Sequence, residues 1–201
     1  MKINISKTFL SAPFSAKFGM IVILFFAIVS IFAPLIAPYG ETEIIGRSYE
    51  VWSEKHLLGT DNLGRDMLSR LVFGARNTIG MALFTTFLAF LIGSISGMIA
   101  AVLGGWVDQI LGRIVDVLMS IPSLIFALLI LSFFGTSITY LIGTIALLEA
   151  TRVFRLARAT AMNVAVMDFV EAAKLRGEKL GWIILKEILP NIAAPLLAEF
   201  G

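Results

Sequence analysis

Cysteine is absent from the 201 residues, and histidine occurs once, as His56. Without a thiol there is neither a disulfide nor a thiolate metal site. One imidazole leaves little material for a metal centre or a histidine-based triad. Charge is scarce as well: Asp, Glu, Lys and Arg make up 15% of the chain, where a soluble domain carries about a quarter. No glycine loop of the type G-x-x-x-x-G-K-[ST] is present, so any ATP must be handled by another polypeptide. The acidic turn around Asp61 and Asp66 resembles a calcium loop only superficially, because the ligand spacing fails and no bidentate glutamate follows at the required place. No catalytic residue, cofactor site or metal site is therefore expected, and nucleic acid is not an expected partner. His56 alone reads as structural rather than as a ligand.

What the chain has is apolar length. Hydrophobic residues make up 58% of it, and the long uncharged runs are those of an integral membrane protein. Residues 1–17 form a basic leader with Lys2, Lys7 and Lys17 and no acid. Residues 18–40 carry no charge, which is long enough for one span, since about 20 residues rising 1.5 Å each cross the hydrocarbon core. A cleaved signal peptide is disfavoured, because Pro38 would follow the best small residue, Ala37. Pro34 and Pro38 mark the frayed outer end of this helix. Residues 41–76 are polar and nearly balanced in charge, in contrast to the basic leader. The positive-inside rule thus places the N-terminus in the cytoplasm and residues 41–76 outside.

Within that outer segment, Gly59 to Gly64 reads as a turn and Asp66 to Arg76 as an interfacial helix. Asp66 and Arg70 are spaced to pair, and Leu68, Leu71, Val72 and Ala75 form an apolar side. The uncharged run from Asn77 to Val107 gives a second span; its scattered Gly80, Gly93, Ser94, Ser96, Gly97 and Gly104-Gly105 predict close helix packing. Two further spans are expected over 110–134 and 138–156, separated at Gly135-Thr136-Ser137. Pro122 should kink the first of these, with Ser120 or Ser123 satisfying freed backbone groups. Arg152, Arg155 and Arg158 read as snorkelling positive-inside residues, with a Glu149–Arg152 pair in addition.

Residues 168–191 then form a polar, mixed-charge segment in an apolar chain. Asp168 with Glu171 has capping-box spacing. The ensuing helix would carry Glu171, Lys174 and Glu178 on one face and Val170, Ala173 and Gly177 on another. Gly177 supplies a turn, and the apolar run from Trp182 to Leu189 ends at Pro190. The surrounding basic residues and the count of spans both put this segment in the cytoplasm.

The order Glu171-Ala172-Ala173, then Gly177, then Ile188-Leu189-Pro190 resembles the EAA loop of bacterial ABC-importer permeases. HLLGTDNLGRDMLSRLVFGAR, from His56, resembles the signature before the second span in the dipeptide, oligopeptide and nickel branch, in the subunit called C; its marked positions are Gly59, Thr60, Asp61, Gly64, Arg65 and Asp66. This resemblance implies an all-α, polytopic transmembrane bundle of the MetI-like permease fold, with four spans and the start of a fifth, in the bacterial inner membrane. It implies import of peptides or related small solutes by alternating access. The implied partners are two ATPase subunits that bind the cytoplasmic loops, a second permease and an extracytoplasmic solute-binding protein. By the same resemblance Glu171 is a polar contact or cap, Ala172 and Ala173 allow close approach, and Gly177, Ile188, Leu189 and Pro190 complete the coupling element. The family continues with a fifth and a sixth span, whereas residues 192–200 are too few to cross a bilayer. A fragment, an early stop or a degenerate permease is therefore expected. A non-transporting remnant and an ATP-independent transporter or channel are the alternatives; the latter would favour ionisable groups at mid-membrane.

Overall fold

The computed structural model describes residues 13–200, and the chain divides into two compact units, Met1–Ala82 and Leu83–Gly201. Among the described residues the regular elements are helical, with two isolated antiparallel bridges, Ile44 to Arg65 and Thr60 to Asp66.

In the first unit, α1 spans Phe14–Ile31 and α2 spans Ala33–Ile36. Pro34 sits in the first turn of α2, where a missing N–H costs nothing. Helix α1 starts inside the stretch expected as leader; Lys2 and Lys7 lie outside the described residues. Most of the large side chains of α1, such as Ile23, Leu24 and Phe25, point away from protein, as a helix in lipid requires. After the loop of residues 37–66 comes α3, Met67–Leu103, a single helix of 37 residues. The separate interfacial helix expected over Asp66 to Arg76 does not form. Those residues are the first turns of α3, because nothing breaks the helix until Gly104 and Gly105, both at positive φ (60° and 51°).

The second unit contains α4 (Gly105–Ser120), α5 (Ser123–Phe134), α6 (Ile138–Ala165), α7 (Asp168–Leu175) and α8 (Leu180–Phe200). The span expected over 110–134 is two helices meeting at 91° around Ile121 and Pro122. Pro122 cannot extend α4 and instead caps α5, accepting the Phe126 N–H (3.0 Å). Ser120 Oγ donates to the Val117 carbonyl (2.7 Å). The break at residues 135–137 is present: Gly135 has φ 95°, and the Ser137 side chain accepts the Tyr140 N–H. By length and composition α1, α3 and α8 are apolar enough to cross a membrane, and α4 with α5 would be a fourth as one bent span. Helix α6 carries Glu149, Arg152, Arg155 and Arg158 and runs on to Ala165, beyond the expected end at residue 156.

Helix α8 corrects the expectation that the apolar run stops at Pro190 and that only nine residues of a further span follow. Residues 180–200 form one stretch of 21 helical residues. Its middle, Ile183–Ile188, is wound as a π-helix, closed by the Leu189 N–H to the Ile184 carbonyl. The wider turn relieves the clash that a proline ring makes with the carbonyl four residues before it. Pro190 thus bends the hydrogen-bond pattern rather than ending the helix.

Small residues allow the closest contact in the second unit. A Cβ on Gly93 would lie 2.6 Å from the Ala150 carbonyl oxygen, and one on Gly97 would lie 2.7 Å from that of Phe154. These two glycines, four apart, let α3 touch the backbone of α6. Gly93→Ala and Gly97→Ala should each destabilise the fold by about 1–3 kcal/mol, the usual cost of overpacking. Gly80→Ala, on the same helix with open space around it, should be near neutral. Detergent-titrated unfolding followed by circular dichroism measures all three; equal midpoints would refute the close contact.

Candidate functional site

Helix α7 is eight residues long and lies on its own unit through Val170 and Ala173, both 0% exposed. They pack in one core cluster with Ala157 and Ala161 of α6 and Ile183, Ile184 and Ile188 of α8. The opposite side, with Glu171, Ala172, Lys174 and Leu175, is exposed. The helix does not begin with an Asp168 capping box. Met167 is the cap residue, and its carbonyl accepts the Val170 and Glu171 N–H groups (2.9 and 3.2 Å). Asp168 and Glu171 instead sit in the first turn, where negative charge complements the helix dipole.

The far end of α7 closes at Gly177, whose φ is 78°. The Gly177 N–H donates to the Lys174 carbonyl (2.9 Å) and the Glu178 N–H to that of Ala173 (3.2 Å). This paired closure is the Schellman motif, which favours glycine at its left-handed position. Glu178 therefore lies beyond the turn and not on the α7 face where the spacing put it. Arg176 braces the turn: it approaches Glu178 and Glu187 (both 3.9 Å) and lies over the Trp182 ring (5.8 Å). The marked residues of this segment thus divide. Ala173 and Ile188 are core, Leu189 is half-buried, and Glu171, Ala172, Gly177 and Pro190 face outward.

The other marked segment is a tightly bonded turn in the first unit. Asp61 is its hub. One carboxylate oxygen accepts the Leu63 and Arg65 N–H groups (2.8 and 3.0 Å), and the other accepts Arg65 Nε and Arg70 Nη1 (2.8 and 2.7 Å). Burial pushes the Asp61 carboxyl up, but the backbone donors of Arg65 and Leu63 and the Arg65 guanidinium outweigh it and bring it down to about 2. Thr60 Oγ1 donates to the Arg47 carbonyl and accepts the Glu50 N–H (2.5 and 2.9 Å). Gly59 and Gly64 have φ of 74° and 75°, and a Cβ on either would strike a backbone oxygen, at 2.3 and 2.2 Å. The expected Asp66–Arg70 pair does not form, since Arg70 reaches Asp61. Asp66 instead accepts the Ser69 N–H and hydroxyl (2.7 and 2.8 Å), which caps the start of α3. All six signature positions are thereby explained as local architecture.

Comparison with known proteins places the chain in a family. The family described as binding-protein-dependent transport system inner membrane component matches residues 89–201. The chain belongs to that family. A second description, the N-terminal TM domain of oligopeptide transport permease C, matches residues 15–50. The chain is 35% identical over 183 residues to a dipeptide transport system permease protein of Alkalihalophilus pseudofirmus, covering 90% of this chain and 60% of the relative. It is 34% identical over 191 residues to the Haemophilus influenzae dipeptide permease, covering 92% and 65%. It is 28% identical over 197 residues to a glutathione transport system permease protein of Pectobacterium atrosepticum, covering 97% and 65%. The chain thus spans 60–65% of the length of these relatives.

In this inner membrane component, sequence reasoning missed the interhelical charge pairs. Arg158 grips both carboxylate oxygens of Asp108 through Nε and Nη2, the latter at 2.6 Å. Arg155 Nη2 meets Asp116 at 2.8 Å. Both pairs join α4 to α6, and the expected Glu149–Arg152 contact is present at 3.7 Å. Asp108 and Asp116 lie on one helix and the arginines on another, so spacing along either helix gives no signal of the pairing.

Proposed function

We propose that this inner membrane component is the permease subunit of an ATP-driven importer of peptides or related small solutes. Supporting observations are the permease names of its relatives and, above all, α7 itself. It is a short polar helix fixed by two buried side chains to the helices before and after it, with a charged face left open. Such an element passes a push from a moving partner directly into α6 and α8. In this reading Glu171, Ala172, Gly177 and Pro190 meet an ATPase subunit, while Ala173, Ile188 and Leu189 transmit its movement inward. The other partners are a second ATPase subunit, a second permease and an extracytoplasmic binding protein. The N-terminus and α7 lie in the cytoplasm, and residues 41–66 lie outside. Hydrolysis occurs on the partners; the permease contributes alternation between two states, driven by the partner's unequal affinity for them.

Purification of the tagged chain from native membranes should carry along nucleotide-binding polypeptides and a second permease. Its deletion should abolish ATP-dependent uptake of a labelled dipeptide. Uptake that persists without ATP and follows an ion gradient would instead establish a secondary transporter.

A further inference from the structure

The geometry points to the hairpin of residues 51–58 as a lipid-headgroup anchor, with Trp52 and its aliphatic neighbours seated in the bilayer interface. In this hairpin the chain reverses tightly, with Ser53 and His56 exchanging backbone hydrogen bonds (2.9 and 3.1 Å). Its base is closed by the Thr60 N–H to the Glu50 carbonyl (3.1 Å). The inward side is occupied by His56, which is 6% exposed and lies beside the Tyr39 ring, centroids 5.8 Å apart and planes tilted by 43°. Its exposed side chains are mainly apolar, with Val51 81% exposed, Trp52 76%, and Leu57 and Leu58 more than half, while Glu54 and Lys55 are exposed at the tip, where charges belong among headgroups. These side chains cannot fold away, because Gly59 and Gly64 lock the loop and the Asp61 hub braces it.

Two hydrogen bonds set the level of the hairpin. The Tyr39 hydroxyl donates to the Lys55 carbonyl (3.3 Å), and the Tyr39 N–H donates to Ser69 Oγ (3.1 Å). Tyr39 is the last side chain of the uncharged run 18–40, so it stands where hydrocarbon gives way to headgroups. The Met67 N–H also donates to the Gly59 carbonyl (3.1 Å), which ties Leu57 and Leu58 to the first turn of α3. The hairpin is thus tied to the segment that follows α1 and α2 and to the first turn of α3. Rigid exposed tryptophan and aliphatic side chains at that depth match the interfacial region of a bilayer, where an indole has its apolar body in acyl chains and its N–H among headgroups. The occupant is the lipid surface already in contact with α1.

The test uses Trp106→Phe with Trp182→Phe, leaving Trp52 as the single tryptophan, reconstituted in phosphatidylcholine vesicles. Trp52 should lose more than half its emission to lipids brominated near the glycerol end of the acyl chains, and little to aqueous iodide. Because the chain has no cysteine, Leu57→Cys alone carries an environment-sensitive thiol dye for a second reading in an otherwise unaltered chain, and a blue-shifted emission is expected. Iodide access exceeding bromolipid quenching, or a water-like dye spectrum, would overturn the anchor and leave the hairpin as a docking surface for a soluble protein. Neither measurement depends on transport, so the outcome is independent of whether the chain imports peptides.

Discussion

Arg158→Ala is expected to destabilise the second unit by about 2 kcal/mol, the cost of leaving a partly buried charged group without its hydrogen-bond partner. The cost stays below that of a fully buried pair because 35% of the Arg158 side chain and 17% of that of Asp108 are open. Arg158 binds both Asp108 oxygens side by side, and such two-pronged guanidinium–carboxylate contacts combine charge with fixed geometry. Removing the arginine leaves a partly buried carboxylate on the wall of an open cavity, without its two-pronged partner. Arg155→Ala supplies the internal comparison. Its pair with Asp116 is more than half exposed on both sides, so screening leaves it worth about 0–1 kcal/mol. Unfolding midpoints in mixed detergent should therefore separate the two variants clearly. Asp108→Asn combined with Arg158→Gln should recover much of the loss, since no unpaired charge remains. If the two alanine variants unfold alike, the Asp108 contact is not holding α4 to α6.

That pair also marks how far the sequence could be read. Uncharged runs and glycine breaks are local signals, so the first two apolar helices, the stop at Gly135 and the turn at Gly177 were legible from residue type alone, whereas the bend at Pro122 and the helix running through Pro190 were not. The signature turn was legible as a turn because Gly59 and Gly64 bracket Asp61. What Asp61 does with its oxygens was not, because Arg65 and Arg70 were equally well spaced to pair elsewhere, and the Asp66–Arg70 pairing looked better by the i,i+4 rule. Charge partners on different helices depend on which faces meet, and spacing along one helix does not contain that information. Hence three arginines on α6 looked like a positive-inside cluster, while two of them are committed to α4. The proline error has a different origin. Pro190 is a helix breaker by local chemistry, but burial of Ile188 (0% exposed) and Ile192 (1% exposed) on one face keeps the helix running through it. The π-wound turn is the compromise between those two demands.

The largest functional effect is expected at Gly177. Its Cβ position is open, with nothing within 4 Å, yet its φ of 78° is one that other side chains rarely adopt. Space and backbone angle can therefore be tested separately. Gly177→Asn should keep the turn, because asparagine tolerates the left-handed region, and uptake should remain within a few-fold of the unaltered chain. Gly177→Val places a β-branched residue where it is a conformational outlier. The strain is about 1–2 kcal/mol, and it falls on the two hydrogen bonds that close α7. Since Val170 and Ala173 stay buried, the helix should survive while its outward face shifts relative to α8. If α7 is the site of coupling, peptide uptake by the assembled transporter should fall at least about tenfold, with the amount of chain in the membrane unchanged; about 1.4 kcal/mol of lost coupling suffices for that. Gly177→Asp keeps the backbone tolerable but adds a negative charge next to Glu178 on the exposed side proposed to meet the ATPase, and it should also abolish ATPase-coupled uptake. Uptake that fails for valine alone would assign Gly177 a purely structural role, and uptake unchanged in all three variants would move the coupling element away from α7.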